Sequence, residues 1–335
     1  MDCTRRAAND LYWIVPGSVL TLAVGAFALA QTPDFRAVAA ALAILPLWLV
    51  AAAGMASLMV LGSTVRMIRS GADRPLARFR TYLANNYRHL TWLVAGLLLA
   101  GANMAMFMWV KQLLNRLVPF WADPLLANVD HAIFFTDPWR LLTWLDNRPL
   151  ALFYHRVWFA LLVLTLLNVL NQRPSREKTV ILLTYFLLWS VFGPVIHTLL
   201  PAAGPVFYAD LKYGDRFIGF GMTPETRELA DYLWWTYQKG QFEPGGGISA
   251  MPSLHIATMA WIVIATAVFA RRWLVPIIIV AISIWILSIA LGWHYAIDGI
   301  VGAAGAFGIW RLCALMVALN PRDEWSVDRF INFGP

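Results

Sequence analysis

Two runs of sequence, Met251-Pro252-Ser253-Leu254-His255 and His294-Tyr295-Ala296-Ile297-Asp298, bracket an apolar hairpin that decides the fold. The apolar residues 256–270 end at a pair of arginines and are followed by a second apolar stretch, 274–291. Each leg has about 15 to 20 residues, enough to cross a bilayer core of roughly 30 Å at about 1.5 Å per residue. One crossing and one return bring both runs to the same membrane face. We therefore expect His255 and His294 to share a site.

The composition is that of a polytopic membrane protein. Hydrophobic residues make up 60% of the 335 residues and charged residues 13%, about half the charged share of a soluble domain. The 17 tryptophans suit aromatic belts at both membrane interfaces. The net charge of +7 is distributed as a topology signal, so we expect no nucleic-acid partner. Two cysteines, Cys3 and Cys313, form no disulfide framework and no metal-binding spacing, and no cofactor is predicted.

Apolar length predicts an all-α fold: a polytopic membrane helical bundle of about eight transmembrane helices, six of which form the catalytic core. The predicted spans are roughly 11–31, 38–65, 91–110, 151–170, 179–200, 253–270, 274–292 and 296–318.

Basic residues fall at every second boundary between these spans, as the positive-inside rule requires. Both termini are then cytoplasmic and both histidine runs face the opposite side. Short loops favour a bacterial inner-membrane protein whose site faces the periplasm. The basic residues are Arg5, Arg6, Arg66, Arg69, Arg74, Arg78, Arg80, Arg88, Arg173, Arg176, Lys178, Arg271, Arg272, Arg322 and Arg329.

The N-terminus has two interpretations. Arg5-Arg6, an apolar run and Ala28-Leu29-Ala30 resemble a signal peptide with its cleavage site. The apolar run is long for a signal peptide, which favours an uncleaved helix. The later topology is the same in both cases.

Three parts are predicted along the chain. Residues 1–90 hold a transmembrane helix pair and a basic cytoplasmic linker, residues 91–320 the six-helix membrane catalytic domain, and residues 321–335 a cytoplasmic tail. The outer segment 111–150 mixes prolines with aromatic residues, which fits either short interfacial helices or an ordinary outer loop. The outer loop 201–252 ends in a glycine run that leads directly to the first histidine motif.

The residue types of the two motifs suit phosphoryl transfer. Pro252 resembles a first-turn proline, so Ser253 and His255 lie at a helix start after Gly246 and Gly247, a context that favours an anion such as phosphate. A histidine and an aspartate four residues apart share a helix face, and the carboxylate fixes the imidazole tautomer. One histidine can then attack phosphorus while the other protonates the leaving oxygen. Zinc is the alternative for two histidines and an aspartate, but the glycine-rich helix start favours an anion.

Pro252-Ser253-Leu254-His255, and His294 with Asp298, resemble the second and third motifs of the type 2 phosphatidic acid phosphatase superfamily. The resemblance covers about residues 91–318. It implies a six-helix membrane enzyme that needs no metal. In that enzyme His294 is the nucleophile, Asp298 its orienting partner, His255 the general acid and Ser253 a phosphate ligand.

The sequence departs from the family where cations are expected. The first family motif is Lys, six residues, Arg-Pro, and no Arg-Pro here has a lysine seven positions earlier. Leu287 and Ser288 stand where the third motif has Ser-Arg, and Leu254 replaces a glycine. Lys212, Arg216, Arg227 and Lys239 of the outer loop are candidate replacements, although solvated loop charges are the commoner case.

These departures make the chain look more like the inositol phosphorylceramide synthase branch, because a phosphodiester carries less charge than a terminal phosphate. The leading hypothesis is a lipid phosphotransferase that moves a phospho-headgroup to a lipid acceptor. The alternative is a phosphatase acting on phosphatidic acid, a sphingoid phosphate or a polyprenyl diphosphate. A non-enzymatic lipid-binding protein is the third. Membrane lipids are the expected partners, and the oligomeric state is not indicated. His197 is interpreted as a structural helix-end residue.

Overall fold

The computed structural model describes residues 3–69, 75–218, 220 and 223–318. Several basic residues used for the topology, among them Arg74, Arg322 and Arg329, lie outside the described residues, as does the predicted tail 321–335. The described residues form twelve α-helices, numbered α1 to α12 in chain order: Cys3–Gln31, Phe35–Leu42, Leu45–Arg69, Pro75–Leu117, Asp123–Phe134, Arg148–Asn171, Arg176–Leu187, Gly193–Leu199, Pro224–Lys239, Leu254–Phe269, Leu274–Ala290 and Ala296–Ala318.

The predicted all-α membrane bundle is confirmed. Seven helical segments are long and apolar enough to cross a membrane. The eighth predicted span is α10, an apolar helix of 16 residues. The span predicted at 179–200 is one continuous helical segment, in which a π-helical turn, Leu188–Phe192, joins α7 to α8.

The last part of residues 1–90, predicted to be a basic cytoplasmic linker, is helical over its described residues. Helix α3 continues to Arg69, and α4 begins at Pro75, because a proline at the first helical position leaves no interior N–H unpaired. At its other end α4 continues to Leu117, beyond the predicted boundary at residue 110.

The N-terminal helices pack directly on the rest of the bundle. Helix α1 lies against α4 and α7, and α3 against α4 and α6. Lys178 of α7 pairs with Asp10 of α1 at 2.9 Å and also donates to the backbone carbonyls of Leu170 and Gln172. A buried ammonium needs such partners, so this contact fixes α1 at the end of the bundle remote from His255 and His294.

Helix α10 is the centre of the core and packs against α6, α7, α11 and α12. Trp261 is fully buried on α10 and donates its indole N–H to the Ile181 carbonyl at 2.8 Å. Gly302 lets α12 approach the start of α10, since a Cβ atom there would collide with the Ser253 carbonyl oxygen. The approach of these two helices joins the segments that carry the two histidine motifs.

Candidate active site

The two histidine motifs meet at one end of the bundle. His255 lies in the first turn of α10, and His294 lies in the turn between α11 and α12. Their ring centroids are 6.0 Å apart with the ring planes inclined by 65°. Ser253, the N-cap of α10, is fully buried; its hydroxyl accepts from the Ile256 N–H at 3.4 Å. The expected convergence of His255 and His294 is therefore present in the structure.

His294 is oriented mainly by a backbone carbonyl. Its Nδ1 lies 2.8 Å from the Ala250 carbonyl oxygen, which can only accept a hydrogen bond, so Nδ1 carries the proton and Nε2 is left with a free lone pair. The Asp298 carboxylate lies farther away, 3.5 Å from Nδ1. Its Oδ2 accepts from the Tyr295 N–H at 2.8 Å, and its Oδ1 has no hydrogen-bond partner in the described chain.

Asp298→Asn is expected to lower kcat by about 10²- to 10⁴-fold with little change in KM, because it removes the buried charge that stabilises a cationic His294. The Ala250 carbonyl still holds Nδ1 in this variant, which favours the lower half of that range. Steady-state kinetics on purified protein with a wild-type unfolding temperature test it. A kcat within threefold of wild type would remove Asp298 from the catalytic group.

Aromatic side chains of α6 pack against the His255 ring. The ring centroids of Trp158 and Tyr154 lie 4.3 and 5.1 Å from that of His255. The ring centroid of His155 lies 6.4 Å from that of His255 and 5.9 Å from that of Trp293. The Tyr154 hydroxyl and the indole N–H groups of Trp158 and Trp293 are buried without a partner among the described residues. The site thus offers unpaired hydrogen-bond donors around the histidines. The tyrosine and tryptophan of α6 are four residues apart and so share one helix face, but nothing in the sequence pairs that face with His255.

Lys111 of α4 borders the glycine run that precedes Ala250, and the family's Lys and Arg-Pro pattern does not single it out. A Cβ atom at Gly247 would stand 2.9 Å from the Lys111 Cε. Lys111 forms no salt bridge with a carboxylate in the part of the chain that is described. Lys111 is followed, after six residues, by Val118-Pro119. This is the spacing of the family's first motif with valine in place of arginine, so a comparison that requires Arg-Pro passes over it.

The glycine run lies along α4. A Cβ atom at Gly246 would stand 2.6 Å from the Gln112 side-chain oxygen, and Gly247 has a φ of +85°. Asn115 fixes the next residue by a pair of 2.7 Å hydrogen bonds to the N–H and carbonyl of Ile248. The phosphate-binding role of these glycines stays a prediction; in the structure they let the chain pass close to α4 and reach Ala250.

His197 is part of the same support. Its ring nitrogens lie 3.2 Å from the Asn115 amide nitrogen and 3.1 Å from the Ser249 hydroxyl. Because both nitrogens are engaged, the geometry suits the structural role expected of it.

For Lys212 and Arg216 the described residues show surroundings other than the histidines. Lys212 is exposed, in a turn with φ +63°. The Arg216 guanidinium is engaged by the Asp137 carboxylate at 2.6 and 3.0 Å, the Asn128 side chain and the Ala127 carbonyl. Burial alone would raise the pKa of Asp137, but the hydrogen bonds and charge of Arg216 hold it below its ordinary value. Arg216 therefore braces the outer loop against α5, with most of its donors occupied.

The described residues contain no group of three or more His, Cys, Asp or Glu side chains placed to hold a metal ion. The arrangement that does exist combines two imidazoles and a buried carboxylate, which can attack and protonate a phosphoryl group.

The comparisons with known proteins agree with this chemistry. A family profile described as the PAP2 superfamily matches residues 125–312, more than half of the chain and somewhat less than the expected 91–318. Neither a curated protein nor a solved structure matches the chain. The matched region contains both histidines and Asp298, and the superfamily consists of phosphatases and phosphotransferases that act on lipid phosphates. The chain therefore belongs to the PAP2 superfamily and is a membrane-embedded enzyme of that family.

Proposed function

We propose that this protein is a lipid phosphotransferase that moves a phospho-headgroup from a phospholipid donor to a lipid alcohol, in the manner of inositol phosphorylceramide synthase. The observation that carries the proposal is the pairing of His294, whose Nε2 is free, with the His255 ring 6.0 Å away. Two imidazoles at this separation can contact one phosphorus atom from opposite sides, one at the attacking side and one at the leaving oxygen.

The reaction proceeds in two steps. His294 Nε2 attacks phosphorus, the N–P bond forms, and the P–O bond to the diacylglycerol breaks while His255 gives its proton to the departing oxygen. In the second step His255 takes the proton of the acceptor hydroxyl, whose oxygen attacks phosphorus and releases His294. Asp298 stabilises the cationic imidazole in both steps.

The charge of the site supports a diester donor. Lys111 borders the glycine run that leads to Ala250, whereas Lys212 is exposed and the Arg216 guanidinium is engaged by Asp137. A phosphodiester carries one negative charge, which a single ammonium balances. His294 is 4% exposed, and an enclosed site of this kind favours an alcohol acceptor over water.

A lipid-phosphate phosphatase is the second candidate. Lys111 stands at the spacing of the family's first motif. A lysine therefore occupies one of the two cation positions of that motif, and valine occupies the other. A second cation for a terminal phosphate is what this candidate still requires.

The charge distribution supports an orientation for the enzyme. Arg271 and Arg272 lie between α10 and α11, at the end opposite to the histidines. By the positive-inside rule the histidines face the non-cytoplasmic side, which in a bacterial inner membrane is the periplasm.

Product analysis in lipid nanodiscs tests the function. Wild-type protein and His294→Ala receive phosphatidylinositol with ceramide, and separately phosphatidic acid. A new phosphoinositol lipid that the variant does not make establishes the transferase. Free phosphate from phosphatidic acid, without headgroup transfer, establishes the phosphatase. Neither product would contradict both.

Lys111→Met is expected to lower kcat/KM by about 10- to 100-fold, because a hydrogen bond to a charged group contributes about 1.5–3 kcal/mol. Lys212→Met removes the same charge from the exposed outer turn and is expected to cost far less. Kinetics of both variants with the donor lipid check this order. An equal loss in the two variants, or a greater one for Lys212, would return the phosphate-binding role to the outer loop.

A further inference from the structure

We propose that Asp123 of α5 is a positioning residue for catalysis: it fixes the backbone segment whose carbonyl orients His294. The proposal rests on the proposed function, because it assigns His294 the attack on phosphorus. Asp123 itself touches neither histidine. Its effect is transmitted through hydrogen bonds that run from α5 to the two turns of the site.

The first connection runs through the turn at residues 202–204. The Asp123 carboxylate accepts the N–H of Ala203 at 2.9 Å and the N–H of Gly204 at 2.8 Å. The neighbouring Ala202 carbonyl accepts the N–H of Ala250 at 2.8 Å. Ala250 in turn accepts Nδ1–H of His294 with its own carbonyl. A shift of the 202–204 turn therefore displaces the group that sets the direction of the imidazole.

The second connection runs through Tyr295, the residue after His294. Its hydroxyl donates to Asp123 Oδ1 at 3.0 Å, and its backbone N–H donates to Asp298. Gly204 has a φ of +107°, and a Cβ atom there would stand 2.6 Å from the Trp293 carbonyl oxygen. Gly204 thus packs against the residue before His294, and Asp123 binds the residue after it.

The chemistry of this junction requires a carboxylate. Asp123 is fully buried and receives three donors on two oxygens. Burial raises its pKa, and these hydrogen bonds oppose that shift. An asparagine has one carbonyl oxygen, so its amide group would face one of the backbone N–H groups. One side of the junction would then open.

Asp130 lies two helical turns further along α5 and supports the same segment. Its carboxylate accepts the N–H groups of Ala296 and Ile297 at 2.6 and 2.9 Å. These are the first residues of α12, so Asp130 satisfies donors that a helix start leaves unpaired. Helix α5 therefore contacts the residues after His294 at two points, and of its two carboxylates Asp123 is the one that the 202–204 turn links to Ala250.

The test compares Asp123→Asn and Tyr295→Phe with Asp146→Asn. Asp146 is the matched control because its carboxylate also accepts a backbone N–H on the outer side, that of Thr223 at 3.4 Å, without a link to His294. Three quantities are measured on full-length protein: kcat, KM, and the dissociation constant of orthovanadate. Vanadate is the probe because its five-coordinate adduct with an imidazole imitates phosphoryl transfer.

We expect Asp123→Asn to lower kcat about 10- to 100-fold and to weaken vanadate binding in parallel, with KM within threefold, because small misplacements of a nucleophile have effects of this size. Tyr295→Phe breaks a single bond of the junction and is expected to show the same pattern at about 5- to 10-fold. Asp146→Asn should match wild type within twofold.

A purely structural role would leave kcat and vanadate affinity unchanged in the folded protein, or would reduce them equally in Asp146→Asn; either result overturns the proposal. If Asp123→Asn does not fold, Tyr295→Phe decides. If wild type turns over the donor lipid and binds vanadate, and the variants do both equally well, the positioning role alone is refuted. A wild-type protein that neither turns over donor lipid nor binds vanadate would refute the proposed function together with it.

Discussion

Replacing His294 by alanine is expected to abolish turnover, with kcat reduced by about 10⁴- to 10⁶-fold, the size seen when a catalytic nucleophile is removed. In the proposed mechanism the imidazole supplies the atom that forms the bond to phosphorus, and among the described residues no second group stands in its place. The ring centroid of His255 lies 6.0 Å from that of His294, and the two ring planes are inclined by 65°. Headgroup transfer, measured with a labelled donor lipid in nanodiscs, checks the prediction.

His131→Ala is the control for this variant. His131 also lies at the outer end but is largely exposed, 3.4 Å from Asp137, and its loss is expected to leave kcat within twofold. If His294→Ala kept more than a few per cent of the wild-type rate, the assignment of the nucleophile would be wrong.

His255→Gln is expected to lower kcat with a lipid donor by about 10²- to 10⁴-fold, the range for loss of a general acid. The leaving oxygen of diacylglycerol is that of an alcohol and needs a proton. A p-nitrophenyl phosphodiester releases a phenolate that needs none. We therefore expect the variant to lose much less activity with the p-nitrophenyl substrate than with the lipid.

The dependence on leaving group separates a general acid from a residue that only binds. His294→Ala should lose both substrates equally, which makes it the reference for the comparison. An equal loss of both substrates in His255→Gln would assign His255 to substrate binding instead.

The sequence was sufficient for the parts of the fold that lipid dictates. Apolar length fixes where helices cross, because a single apolar segment satisfies its own backbone groups in a bilayer by forming a helix. The hairpin between His255 and His294 then places both histidines at one membrane face. Helix α4 was the exception. Its first turns, from Pro75 onwards, are polar, so hydropathy alone places the start of this helix later, near the membrane boundary.

The supporting groups of the site were not predictable from spacing. Ala250 acts through a backbone carbonyl, which no side-chain motif records. Asp123 is 171 positions from His294 in sequence and reaches it through two turns, so only the folded chain brings them together. Arg216 carried the expected charge, but a carboxylate that the sequence did not connect with it, Asp137, occupies its donors.

In the proposed mechanism the headgroup passes through a covalent intermediate on His294. Trapping that intermediate tests the mechanism most directly. Wild type and His255→Gln receive donor lipid labelled at phosphorus without acceptor, are quenched in alkali, where phosphoramidates survive, and are digested for mass spectrometry. We predict label on the peptide that contains His294, sensitive to acid and absent from His294→Ala. Turnover of the labelled lipid by wild type without label on His294, or with label on another residue, would contradict the account.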